Sequence, residues 1–215
     1  MTTYKKIGFD ILAISEAFNI VKQKECLHLK TWTSAIYEFN ESEQQIIDSV
    51  HADISETIEA MNEEEIKARM IGLLFYVAHI DIPEKLRVFY ERPISAIIGE
   101  YSLNVITDCL VAVPKFNLPS RPYFFLQEAP TRPSPKGKEK KKKKDPEAQM
   151  LTAMIIAQQL NQNNKPVYGS YLIGSNWRFA TLIGTDYCIS RKFDAENKSD
   201  LMQIAYILRK IKDFI

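Results

Sequence analysis

The sequence lacks the long apolar runs that mark integral membrane proteins. No stretch of it approaches the roughly 20 consecutive apolar residues that a membrane-spanning helix needs. The N-terminal residues 1–6 are not followed by the uninterrupted apolar core of a secretory signal peptide. We therefore expect a soluble, unexported protein that works in the cytoplasm without a membrane partner.

Cysteine and histidine are scarce, with three residues of each type. Cys26, Cys109 and Cys188 are odd in number and widely spaced, and at least two lie in apolar runs, as small buried hydrophobic residues do. We expect them to remain reduced thiols. The histidines stand at no metal-ligand spacing from the cysteines, so a zinc site is not expected. The sequence also has no glycine-rich phosphate loop and no serine or cysteine nucleophile with a placed histidine.

Positive charge is concentrated in one short segment. The whole chain has a formal net charge of +1. Residues 136–145 hold seven lysines against two acids, a local balance of +5 that leaves −4 for the rest of the chain. A broad basic face for duplex nucleic acid is therefore not expected, because neutralisation of phosphates by Lys and Arg dominates such binding. The composition leaves open a small acidic active site with local basic help, or a function without nucleic acid.

Hydrophobic spacing divides the chain into a helical N-terminal extension, residues 1–61, and an α/β domain, residues 62–215. The domain is predicted to begin with a long helix, because Asn62 is a good N-cap and Glu65, three residues on, completes a capping box. Acids in such a first turn are ordinary helix-start chemistry. With 46% hydrophobic content, the 215 residues can bury one sizeable core.

The rest of the domain is predicted to alternate strands and helices. Residues 101–113 and 123–128 have the pattern of strands, and the nine-residue connection at 114–122 favours an antiparallel pair. Residues 129–144 combine prolines with the lysine run and are predicted to form a mobile loop. Asp145, followed by proline, then caps the start of a helix. The chain is completed by a meander of three strands and a last helix, at 167–173, 177–183, 187–191 and from Ser199.

Two acidic residues stand in apolar strands, where acids are rare. Asp108 lies within the run 105–113, and Glu128 ends the run 123–128. Burial of a polar group without a partner costs about 2–7 kcal/mol, so each acid needs a cation or a donor. Two carboxylates on neighbouring strands are a minimal site for a hard cation such as Mg²⁺. The alternative is that backbone donors or an arginine hold Asp108, and that Glu128 marks the exit of its strand into solvent.

The order helix, strand with Asp, strand with Glu, helix and further strand resembles the PD-(D/E)XK nuclease superfamily. The resemblance is to uncharacterised bacterial members of the Bacteroidetes type and covers residues 62–214. It is carried, in this order and spacing, by the segments 99–112, 122–128, 145–151 and 167–171. It implies a restriction-endonuclease-like fold, in which helices flank a mixed central sheet. It also implies Mg²⁺ or Mn²⁺ as the cofactor and DNA or RNA as the substrate.

The resemblance also implies roles for individual residues. Asp108 and Glu128 match the two acids that hold the metal ion. Glu65 matches an auxiliary acid on the preceding helix, and Gln149 matches a polar residue at the start of the following helix. In the superfamily, a lysine two residues after the Glu positions or deprotonates the attacking water. Here that position is Pro130, which has no ammonium to offer.

The missing lysine leaves three possibilities open. The first is that Lys136, eight residues after Glu128, supplies the missing ammonium by reaching back from the lysine run. Alternatively, the metal ion alone supports slow cleavage, or the site is inactive. The sequence therefore predicts a metal-dependent endo- or exonuclease, with a non-catalytic interaction or nucleic-acid-binding module on an inactivated nuclease fold as the alternative.

Overall fold

The structure is a computed structural model that describes residues 3–129 and 145–214, and of residues 121–123 and 128–129 it describes only the backbone. The loop predicted at 129–144, with Lys136 in it, lies outside the described residues, apart from the backbone of Ala129. Within these ranges the chain forms an eight-stranded sheet with helices packed against both faces.

The helices of the described ranges are α1 Ile11–Ala17, α2 Leu27–Thr33, α3 Glu41–Thr57, α4 Glu63–Ile66, α5 Gly72–Ala78, α6 Pro146–Asn161 and α7 Lys198–Lys210. A π-helical turn, Lys67–Ile71, joins α4 to α5, and a 3-10 turn, Ile211–Phe214, follows α7. The strands are β1 Val21–Lys22, β2 Arg87–Ile98, β3 Tyr101–Lys115, β4 Leu118–Ala129, β5 Val167–Ile173, β6 Asn176–Ile183, β7 Asp186–Ile189 and β8 Phe193–Asp194.

The sheet has the order β1-β7-β6-β5-β4-β3-β2, and β8 pairs with β6 at the side of this path. β4 and β5 run parallel because α6 crosses over between them, and β1 runs parallel to β7. The other neighbours in the sheet are antiparallel. The prediction of an α/β protein with a mixed central sheet flanked by helices is therefore confirmed.

Two hydrophobic cores cover the two faces of the sheet. α6 packs on one face, where Gly169 of β5 lets the helix approach: a Cβ there would lie 2.9 Å from Met150 and Met154. α2, α3, α5 and α7 cover the other face, with Trp32 of α2 at its centre. The Trp32 ring meets Phe124 and Phe179 edge-on, and its Nε1 donates to the carbonyl of Ile207 at 2.8 Å. Side chains from residues 1–61 thus belong to the same cores as the sheet.

The two outermost strands of this sheet order are ones that the sequence analysis missed. β1 lies in the region predicted to be wholly helical and pairs Val21 with Asp186 of β7. β2 has no clean alternation of polar and apolar residues, because Glu91, Arg92 and Pro93 interrupt it. An outermost strand tolerates such residues, since one of its sides makes no ladder hydrogen bonds.

The connection between β3 and β4 is shorter than predicted. Phe116 and Asn117 form a two-residue turn with φ values of 51° and 60°, as tight antiparallel hairpins require. Strand structure therefore occupies most of the expected loop at 114–122. The predicted antiparallel pairing is confirmed.

Local capping signals gave the correct helix starts. Asn62 and Glu65 form the predicted capping box at α4. Asp145 accepts hydrogen bonds from the backbone of Glu147 and Ala148, and so caps α6. The meander β5–β6–β7 is also confirmed. None of the described helices is long and apolar enough to cross a membrane.

The expectation of three reduced cysteines is wrong. Cys26 and Cys188 form a disulfide with their Cα atoms 6.2 Å apart, while Cys109 is free and buried. The pairing joins the residue before α2 to β7 over a sequence separation of 162. Folding alone brings these residues together, so their spacing in the sequence carries no sign of it.

Candidate functional site

The candidate site lies where β3 and β4 stop pairing. Their register ends at the pair Cys109 and Leu126, although β3 extends back to Tyr101 and β4 continues to Ala129. We call the region between residues 101–108 and residues 127–129 the β3–β4 opening. Gln127 spans it, because its side-chain amide donates to the carbonyl of Ile106 at 3.2 Å and replaces a ladder hydrogen bond.

Asp108 is the first residue of β3 beyond the last pair. The alternation of β3 is interrupted near this point, because Val105 belongs to the core under α6 and Cys109 to the core on the other face, although strict alternation would place residues four apart on one face. The side chain of Asp108 is 23% exposed, and its Oδ1 lies 4.0 Å from Nζ of Lys67. The acid that the sequence singled out therefore faces an ammonium.

Lys67 brings together a cluster of three acids. Its Nζ lies 2.5 Å from Oε1 of Glu91 and 3.7 Å from Oε1 of Glu64, besides its contact with Asp108. The Lys67 side chain is only 12% exposed. We call these four residues the Lys67 cluster. The Lys67 cluster contains three carboxylates and one ammonium, so its formal net charge is negative. A negative net charge favours a further cation over an anion.

Both elements that carry the cluster have irregular backbones at this point. Lys67 is the first residue of the π-helical turn. Gly72 follows the turn, and a Cβ at this glycine would lie 3.1 Å from the Lys67 carbonyl oxygen. Glu91 has φ 50° in the middle of β2, between the pairs Tyr90 with Cys109 and Arg92 with Thr107. It therefore lies beside Asp108 across the ladder.

A cleft of about 310 Å³ opens beside the cluster. Its walls come from the helical turn and from β2, and it is lined by Glu64, Lys67, Ala68, Gly72, Tyr90 and Glu91. Tyr90 is 45% exposed. The small residues of the helical side leave room for a ligand next to the ammonium.

The other predicted site residues do not belong to the Lys67 cluster. Glu65 accepts a hydrogen bond from the Asn62 backbone at 2.8 Å, and so serves the helix start that the sequence also predicted. Gln149 is buried in the first turn of α6. The backbone of Glu128 pairs with Leu172, two residues past Leu126, and its side chain lies outside the description. Its convergence with Asp108 stays a prediction.

Lys67, Glu91 and Glu64 were missed by sequence reasoning. The only available signal was a lysine directly after Ile66, on the edge of the apolar stripe of the predicted helix. The π-helical turn and the strand β2, which bring the cluster together, have no such signal. In the described part of the chain, no group of three His, Cys, Asp or Glu side chains is arranged to hold a metal ion.

A second, buried charge network lies away from the opening. Arg209 of α7 donates to the carboxylate of Glu43 and to the carbonyl of Val77, and lies over the ring of Phe39. His79 meets the same carboxylate at 2.6 Å. Burial favours a raised pKa for Glu43, but hydrogen bonds from the Asn40 backbone, His79 and Arg209 outweigh it and lower the pKa. This network ties α3, α5 and α7 together.

Glu147, in the first turn of α6, holds two tyrosines. The hydroxyls of Tyr171 and Tyr187 both donate to its carboxylate at 3.0 Å. Burial, with the charge of Glu147, raises the pKa of Tyr187 well above its ordinary value. Both hydroxyls therefore stay protonated at neutral pH, which suits a structural role.

No family model matches the sequence, and no curated protein is similar to it. The function is therefore argued from the geometry of the β3–β4 opening.

Proposed function

We propose that this chain is a Mg²⁺- or Mn²⁺-dependent nuclease that hydrolyses phosphodiesters of DNA or RNA at the β3–β4 opening. The observation that carries the proposal is the Lys67 ammonium beside Asp108. The element order also supports it: α5 is followed by β2, β3 with Asp108, β4 with Glu128, α6 and β5, and this order includes the helix, strand with Asp, strand with Glu, helix and further strand of the resemblance to PD-(D/E)XK nucleases. A restriction-endonuclease-like fold is part of the proposal.

The donor chemistry of the opening fits a hard cation. Mg²⁺ takes oxygen ligands, needs only one or two carboxylates and keeps several waters. Asp108 is partly exposed, which leaves room for such waters, and Glu128 is carried by the neighbouring strand. Asp108 and Glu128 would hold the ion. When bound, it would stabilise negative charge on the phosphate and lower the pKa of its water.

Lys67 would take the role of the lysine that Pro130 replaces. A nearly buried ammonium, fixed between a helix and a strand, is preorganised, and preorganised charge contributes most of the electrostatic part of catalysis. Lys67 would orient the attacking water and offset charge on the phosphate. Lys136, which the sequence offered for this role, lies outside the described residues.

The test is cleavage of single- and double-stranded DNA and RNA with Mg²⁺ or Mn²⁺. Asp108→Asn should abolish cleavage, and Lys67→Met should reduce it by roughly 10²–10³-fold, the loss seen when one preorganised donor is removed. Lys198→Met is the matched control, because Lys198 pairs with Asp48 on the surface. If the double change of Lys136 and Lys138 to Ala suppresses cleavage and Lys67→Met does not, the lysine assignment is wrong.

A non-catalytic interaction module is the alternative. It is favoured by the contact of Lys67 with Glu91 at 2.5 Å, which is shorter than its contact with Asp108 at 4.0 Å. In that case the cluster is a structural ion network. Absence of cleavage on every substrate, together with absence of Mn²⁺ uptake in calorimetry, would exclude the nuclease and leave this module.

A further inference from the structure

Two backbone irregularities on separate elements meet at one side chain. The π-helical turn begins at Lys67, and the left-handed Glu91 binds the ammonium of that same lysine. Single π-turns in α-helices are rare and are frequently found at functional sites. A non-glycine residue with positive φ costs about 1–3 kcal/mol and persists only where its surroundings enforce it.

The left-handed conformation of Glu91 changes the direction in which the side chains of β2 point. Phe89 and Ile94 are five residues apart, so strict alternation would place them on opposite faces. Both nevertheless belong to the core under α6. The alternation is therefore interrupted once between them, where Glu91 stands, and Glu91 turns towards the π-turn on the other face.

The partner strand shows the same interruption. Val105 and Leu110 of β3 are also five residues apart and share the core under α6. Asp108 lies between them and contacts Lys67. The break in both strands thus directs Glu91 and Asp108 to one ammonium.

We propose that Glu91 is a positioning residue, whose strained backbone, together with the π-turn, clamps the Lys67 ammonium at Asp108. The clamp itself follows from the contacts described. Its role in catalysis rests on the proposed nuclease function. Positive φ alone would cost less with glycine or asparagine at this position. Glutamate is needed because its carboxylate reaches Nζ of Lys67.

The test uses Glu91→Gly, which permits positive φ and removes the carboxylate. Acylation of Lys67 by an amine-reactive ester, followed by mass spectrometry at fixed pH, should increase several-fold, because the ammonium is no longer held and covered. The melting temperature should equal or exceed that of the wild type. Cleavage should show a reduced kcat with a nearly unchanged KM.

Glu84→Gly is the matched control. Glu84 also has positive φ, at 64°, but lies in the turn before β2. This change should leave the labelling of Lys67 and the cleavage rate unaltered. Glu91→Asn, which tolerates the left-handed conformation, gives a second variant should Glu91→Gly fold poorly, and it should show the same rise in labelling.

The outcomes separate the clamp from the nuclease. Unchanged labelling of Lys67 in both folded Glu91 variants overturns the clamp. Raised labelling in a protein that never cleaves supports the clamp and overturns the proposed function. Raised labelling with an unchanged kcat in a protein that does cleave overturns the positioning role.

Discussion

The buried ion pair between Arg209 and Glu43 should dominate the stability of the helical layer. Their side chains are 8% and 9% exposed, so neither charge is well solvated. We predict that Arg209→Met destabilises the protein strongly. Methionine keeps an apolar side chain but removes the guanidinium that lies over Phe39, so the Glu43 carboxylate loses its buried cation and the Val77 carbonyl loses this donor.

The magnitude follows from the burial of the partner that remains. Removing one member of a buried ion pair costs about 3–5 kcal/mol, because the other charge stays desolvated. His79, at 2.6 Å, remains as a partner and keeps the loss within this range. For a protein of this size the loss corresponds to a fall in melting temperature of about 6–20 °C.

Urea unfolding at neutral pH, followed by circular dichroism, measures the effect. Arg191→Met is the matched control, because Arg191 pairs with Asp200 while 59% exposed, and a surface pair contributes about 0–1 kcal/mol. If Arg209→Met costs no more than Arg191→Met, the network does not stabilise the helices and the reasoning from burial is wrong.

Two further predictions concern acid and thiols. The pKa of Glu43 is lower in the folded protein than its ordinary value of 4.5, so its stabilising contribution is present at neutral pH and is lost as the pH falls through the folded pKa. The loss of stability below about pH 4.5 should thus be smaller in Arg209→Met than in the wild type. Denatured without reductant, the chain should take up one alkyl group, at Cys109, and reduction of the disulfide should cost about 2–5 kcal/mol. Uptake of three groups without reductant would contradict the pairing.

Short-range chemistry in the sequence predicted much of the fold. The capping box of Asn62 and Glu65 and the cap at Asp145 act within one helical turn, so three or four residues specify them. The meander was predictable because its strands alternate and glycines with positive φ, Gly174 and Gly184, stand at its turns.

Long-range contacts were not predictable in the same way. β2 was missed because an outermost strand tolerates Pro93 and charged residues. The acid in β3 was found from the sequence, but Lys67 was not, because the two residues are 41 positions apart in the sequence and a π-turn brings them together. The lysine run is the most highly charged segment of the sequence, so the sequence favoured Lys136 as the missing catalytic lysine instead.

The Gln127 amide has a consequence for the kinetics of binding. It occupies the Ile106 carbonyl with a neutral donor, so the β3–β4 opening exists before any ligand arrives. For the ligand of the proposed function, entry at this point would not require β3 and β4 to be separated further, so strand separation would not limit the rate of association.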